Sequence, residues 1–191
     1  LFFDGIDVSS QVINSSIINN ANNMGVMLQG GTNTIINSII SGNESTQLRI
    51  LSSCNLTVEY SDIDGGQDSV LVEGNAVLNW GSGNIDKNPS FVDAANGDYT
   101  LADTSPCISA GASSVTVGGT TYTAPTTDLA GNARPSPTGT MPDMGAYENS
   151  NGVASYSGDT YYVSASSNYG NGSSTYPFPA IQQGIDASSS G

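Results

Sequence analysis

The side chains with the clearest chemical potential sit near the middle of the chain. Asp62, Asp64 and Asp68, in the run Asp62-Ile63-Asp64-Gly65-Gly66-Gln67-Asp68, have the D-x-D-G-x-x-D spacing of a calcium loop. Ca2+ takes several oxygen ligands from such flexible, carboxylate-rich turns, although the closing bidentate glutamate of an EF-hand is absent. Asp4 and Asp7 form a thinner version of the same pattern. An ordinary solvated turn accounts for the same residues, and both readings stand. Asp62 and Asp64 could also act as the paired carboxylates of glycoside hydrolysis. On a strand, however, they share a face beside a glycine-rich turn, which favours metal binding.

Other chemistries find little material. The chain has no histidine, so the commonest general base and metal ligand is missing. Two cysteines, Cys54 and Cys107, cannot complete a zinc site between them. They can form one disulfide across a long loop, worth on the order of 4 kcal/mol, or stay reduced as small buried apolar groups. Arg49 lies between Leu48 and Ile50 and points outward from its strand, with Val26 and Val72 as expected neighbours and no carboxylate nearby. That is not the cluster a lyase needs. Lys87 and Arg134 are expected to make structural ion pairs with a nearby aspartate.

Three Lys and Arg stand against 17 Asp and Glu, a formal charge of −14. A surface of that sign repels nucleic acid and anionic membranes, which excludes both as partners. No run approaches the roughly 18 apolar residues of a membrane span.

The elements that must position these residues are set by a repeat. From Val12 to about Leu78 the chain matches itself at an offset of 23 residues, with Val12, Ile35 and Val58 in one column, Ser15, Ser38 and Ser61 in a second, and Ile17, Ile40 and Ile63 in a third. Asn20 falls on Asn43 and then on Gly66. Short β-type runs at such a period mark a solenoid, whose turns bury their apolar faces only by stacking. Each turn reads as a long first strand (VINSSII, TIINSII, LTVEYSDI), a polar corner, and a second strand with inward Met24, Val26 and Leu28, or Leu48 and Ile50. Asn20 and Asn43 suit left-handed corners and can bond to each other from one turn to the next.

Trp80 to Phe91 breaks the period, and the Gly- and Pro-rich sequence beyond it reads as an irregular region with a few short strands. These are expected to cover the open end of the stack, where unpaired edges would invite aggregation. Residues 149–159 read as a linker. Residues 160–191 hold a strand, a polar loop and a short amphipathic segment with Ala180, Ile181, Gly184 and Ile185 on one face.

The run NIDKNPSFVDAANGDYTLADTSPCISAG, followed by DLAGNARPSPTGTMPDMGAYE, resembles the closing region of bacterial extracellular right-handed parallel β-helix repeat proteins. The matching positions are Pro89 and Phe91, Gly97 to Leu101, Ser105 to Gly111, Asp128 to Arg134 and Asp143 to Glu148. Residues 160–191 resemble the first strand and cap helix of the same class of domain, with Gly184 where Ala is usual. The resemblance implies an all-β, right-handed parallel β-helix of about 22–24 residues per coil over 1–80 and a closing region over 81–148. A linker over 149–159 and the start of a following or neighbouring β-helix over 160–191 complete the division. It further implies an extracellular or cell-surface structural or adhesive module, joined head-to-tail or in tandem and able to meet glycans. The alternative is a polysaccharide lyase or glycosidase of the pectate-lyase-like fold.

Overall fold

The computed structural model describes residues 2–4, 9–21, 24–152, 160–167, 170–178 and 181–189. The chain is mostly β, and its first half is laid out in rounds of three strands. The first round is β1 (Phe2–Asp4), β2 (Gln11–Ile13) and β3 (Ser16–Ile18). It recurs as β4 (Val26–Gln29), β5 (Thr32–Ile36) and β6 (Ile39–Ser41), then as β7 (Leu48–Leu51), β8 (Asn55–Glu59) and β9 (Asp62–Ile63). A partial round follows as β10 (Leu71–Val72) and β11 (Val77–Trp80).

Like strands of successive rounds pair in parallel, giving three sheets in the orders β1-β4-β7-β10, β2-β5-β8-β11 and β3-β6-β9. The register keeps the sequence columns: Val12 faces Ile35 and Ile35 faces Val58, while Ile17 faces Ile40 and Ile40 faces Ile63. Val26, Leu28, Leu48, Ile50, Leu56, Val58 and Ile63 point between the sheets and are buried. A single-residue slip would send this whole set to the surface, so burial fixes the register.

What reads as one long first strand is two. VINSSII divides at Asn14, TIINSII at Asn37 and LTVEYSDI at Tyr60, whose φ values of 44°, 52° and 49° are left-handed, and Gly83 continues the column at 70°. Asn tolerates this conformation better than other residues with a side chain, and Gly adopts it freely. After each bend the next residue carries a ladder. Ser15 N–H donates to Ser38 Oγ, Ser38 N–H to Ser61 Oγ and Ser61 N–H to Asn84 Oδ1, over 3.2, 3.1 and 3.0 Å. Asn20 and Asn43 also bond across one round, through Asn20 Nδ2 and Asn43 Oδ1 at 2.6 Å.

Past Trp80 the chain forms two antiparallel pairs, β12 (Phe91–Asp93) with β13 (Asp98–Leu101), and β14 (Ser114–Val117) with β15 (Thr120–Thr123). The second pair turns on Gly118 and Gly119, both at positive φ, as a two-residue hairpin requires. This region lies along the flank of the rounds instead of over their end. Leu101, Cys107, Ile108 and Met144 pack on Ile39, while Ala112 and Val115 pack on Ile36. At the end of the rounds Val72, in register with the fully buried Ile50, is 43 % exposed. The flank wins because the bend column presents Asn14 and Asn37 there. Asn14 Nδ2 donates to the Asp143 carbonyl, Asn37 Nδ2 to the Ala112 carbonyl, and Ala112 N–H to Asn37 Oδ1.

In the C-terminal part, Val163 bridges Phe178 and a helix, α1, runs over Ile181–Ser189. Ile181 and Ile185 are exposed, so the expected apolar face of this segment is turned to solvent there, while Gly184 sits against Val163. Ala180 and most of the 149–159 linker lie outside the described residues, as do Asp7 and the side chain of Asp4. No helix among the described residues is long and apolar enough to cross a membrane.

Candidate functional site

The aspartates of the D-x-D-G-x-x-D run take three separate environments. Asp62 opens β9 and is fully buried. Its Oδ1 accepts the Lys87 N–H at 3.1 Å, and its Oδ2 accepts the Cys107 Sγ–H at 3.4 Å. Asp64, past the end of the strand, is exposed, and its Oδ2 accepts the Gly42 N–H of the preceding round at 3.2 Å. Asp68 sits on an exposed single-turn 3-10 helix, Gln67–Ser69. The three are not gathered around one point. Among the described residues no group of three or more acidic, cysteine or histidine side chains is placed to hold a metal ion.

Asp64 instead shares a surface groove with Ser41, Asp86, Lys87, Asn88 and Pro89, about 340 Å³ in volume. Asp86 belongs to no motif in the sequence, yet its role follows from the repeat: its Oδ1 accepts the Gly65 N–H at 2.9 Å, as Asp64 does for Gly42 one round earlier. Each carboxylate is thereby fixed by a turn amide of the preceding round. Lys87 has no carboxylate at ion-pair distance among the described residues. Two fixed acids and one amine thus line an open groove.

Beneath it, burial raises the Asp62 carboxyl to about 7, with the hydrogen bonds from Lys87 and Cys107 opposing and nearby Asp86 and Asp64 adding to the rise. Burial also pushes the Cys107 thiol up, and the Asp62 carboxylate adds to it. Both groups are fully buried and hydrogen-bonded to each other. Cys54 is a free buried thiol as well, in the core between the sheets, whereas Cys107 belongs to the flank cluster. Asn33 Nδ2 lies 3.3 Å from Cys54 Sγ.

The arginines differ from expectation in their partners. Arg49 faces Met27 and Leu71, one residue off Val26 and Val72. Glu73, two residues beyond Leu71 on the same face, reaches Arg49 at 2.7 Å, so a carboxylate is present after all. Arg134 pairs with a glutamate, Glu148, at 3.3 Å, where both side chains are buried. Its Nη1 and Nη2 also donate to the carbonyls of Asp143 and Gly145. Glu148 accepts the N–H groups of Ser136 and Asp143, and Asp143 those of Ser109 and Asn149. Burial, reinforced by Glu148, raises Asp143 to about 8. Asp128 is held below the usual range against the effect of its burial, by donors from Glu148 and Asn132. This network ties the loop 128–149 into one unit.

No family model matches the chain, and no curated protein or solved structure matches it.

Proposed function

We propose that the chain is a segment of an extracellular structural or adhesive module, a right-handed parallel β-helix that joins head-to-tail or in tandem to make a stiff stalk or fibre and meets glycans through its corners. The observation that carries this reading is the one-round register held through all three parallel sheets and extended by the serine ladder. Stacked rounds of this kind form a quasi-one-dimensional array, each held to its neighbours along a single axis by parallel ladders. The resemblance of residues 84–148 to β-helix closing regions supports an extracellular setting, and the −14 charge suits a solvated surface. Electron microscopy and small-angle scattering over a concentration series test the assembly: particles that lengthen along one axis are expected, and compact monomers at every concentration would overturn it.

The groove of Asp64, Asp86 and Lys87 favours a second reading, a polysaccharide-active enzyme in which these residues face the chain being cut. Incubation with acidic polysaccharides, followed by assay for unsaturated or new reducing ends, tests it. Product lost in Asp86→Asn and Lys87→Met would replace the structural reading, and no product from the parent protein would end the enzymatic one.

A further inference from the structure

The described residues contain three Asn-Gly pairs, Asn96-Gly97, Asn151-Gly152 and Asn171-Gly172. An asparagine before glycine is chemically labile. The backbone nitrogen of the glycine can attack the asparagine side-chain carbonyl, and the missing Cβ leaves the approach open. The three pairs share the same local sequence but not the same surroundings.

Gly172 is buried against the rings of Phe178 and Tyr161, and its N–H donates to the Tyr176 carbonyl at 2.9 Å. Asn171 N–H donates to that same carbonyl, and Asn171 Oδ1 accepts the Ser173 N–H at 3.0 Å. Ring closure there needs several contacts broken at once. Gly152 is half-buried, and its backbone packs closely on the Ser136 carbonyl and the hydroxyls of Ser109 and Thr140. A Cβ built on Gly152 would fall on that carbonyl, so the main chain has little room for the shift that ring closure requires.

Asn96-Gly97 lies at the tip between β12 and β13, where residues 95–98 are all exposed. A side chain built at Gly97 would meet nothing within 4 Å, and Gly97 sits at φ 85°. The one backbone bond to open is Gly97 N–H to the Ala94 carbonyl, at 3.2 Å and in solvent. Asn96 Nδ2 donates to Asp93 Oδ2 at 2.7 Å, which holds the amide at the tip without burying it. Exposed single-bond openings of this type cost little free energy compared with opening a packed segment.

We propose that Asn96 is a self-modification site, where the folded protein converts asparagine to a mixture of aspartate and isoaspartate while Asn151 and Asn171 are protected. The Gly97 nitrogen loses its proton to solvent base and bonds to Asn96 Cγ. The Cγ–Nδ2 bond breaks, and the nitrogen leaves as ammonia after taking up a proton. Water then opens the cyclic imide at either carbonyl. Hydrolysis adds one negative charge, and the isoaspartyl product lengthens the main chain by one methylene at the turn into β13.

Peptide mapping by mass spectrometry tests this, with enzymatic methylation of isoaspartate as a second readout, on the whole chain held at mildly alkaline pH with and without denaturant. Several-fold faster conversion at Asn96 than at either other site is expected in the folded protein, with the difference lost in denaturant. Asn96→Gln should remove most of the methyl-accepting signal from the folded chain. Faster conversion at Asn151 or Asn171, equal rates in the folded state, or no conversion at Asn96 where the denatured chain reacts would each overturn the assignment.

Discussion

Cys107 Sγ donates to Asp62 Oδ2 across 3.4 Å, in the seam where the flank region meets β9 and neither side chain touches water. Asp62 has one backbone N–H and one weak thiol donor there, a thin supply for a buried charge.

Stability should therefore fall as pH rises from about 4 to about 7. Asp62 ionises near 3.8 when unfolded and near 7 when folded, so between these values the folded state holds the extra proton. Its contribution is whole below the lower value and gone above the upper. Asp143 acts with the same sign up to about 8, and Asp128, whose pKa is depressed, acts with the opposite sign at the acid end. In thermal melts Asp62→Asn should flatten the slope over this window. Above pH 7 it should exceed the parent protein by on the order of 2 kcal/mol. An unchanged slope would show that Asp62 is solvated.

Asn37 joins the rounds to the flank region through three contacts: its amide bonds Ala112 from both ends at 2.8 Å, and its carbonyl accepts the Gly145 N–H at 2.7 Å. Replacing Asn37 by Gly keeps the left-handed bend and removes the amide bonds, and should cost about 2–3 kcal/mol. Asn37→Ala should cost roughly 1 kcal/mol more, from placing a Cβ at φ 52°. Urea midpoints at constant m-value check both numbers. Equal losses for the two variants would mean that the bend carries no strain.

The columns at offset 23 were legible because burial selects like residues at like positions, as at Val12, Ile35 and Val58. The bends at Asn14, Asn37 and Tyr60 were harder to see, since apolar residues on both sides make each run look continuous and Tyr60 carries no turn signature. Asp62 illustrates the limit at the candidate site. Sequence shows an acid in an acid-rich turn, while its inward direction depends on where β9 ends and on Cys107, 45 residues away. Asp86 and Glu73 became visible only with the one-round register, which places each beside a group about one repeat earlier.

Arg49 and Glu73 meet at the surface, with side chains 32 and 40 % exposed. Long exposed side chains lose freedom when they pair, and solvent screens their attraction. A double-mutant cycle with Arg49→Met and Glu73→Gln should return a coupling below about 1 kcal/mol that shrinks further in high salt. A coupling several times larger and insensitive to salt would contradict the exposed geometry.

Arg134 is the cation that makes the buried acids of the 128–149 loop tolerable. Its guanidinium contacts Glu148 at 3.3 Å and donates to two carbonyls, while Asp128 and Asp143 lie close enough to feel its charge. Arg134→Met keeps much of the apolar volume and removes the charge, leaving Glu148 buried among other acids. The expected loss is about 3–5 kcal/mol at pH 8, the usual cost of stranding one member of a buried pair. Acidification should restore part of it, because burial already raises Glu148 and Asp143, and without the arginine both should take up protons at higher pH still. Arg134→Lys keeps a charge but loses the planar fork that serves Glu148 and the two carbonyls together, so it should recover only a fraction. Denaturant unfolding of both variants at pH 5 and pH 8 separates these effects. A loss independent of pH in Arg134→Met would mean that packing, and not charge, holds the loop.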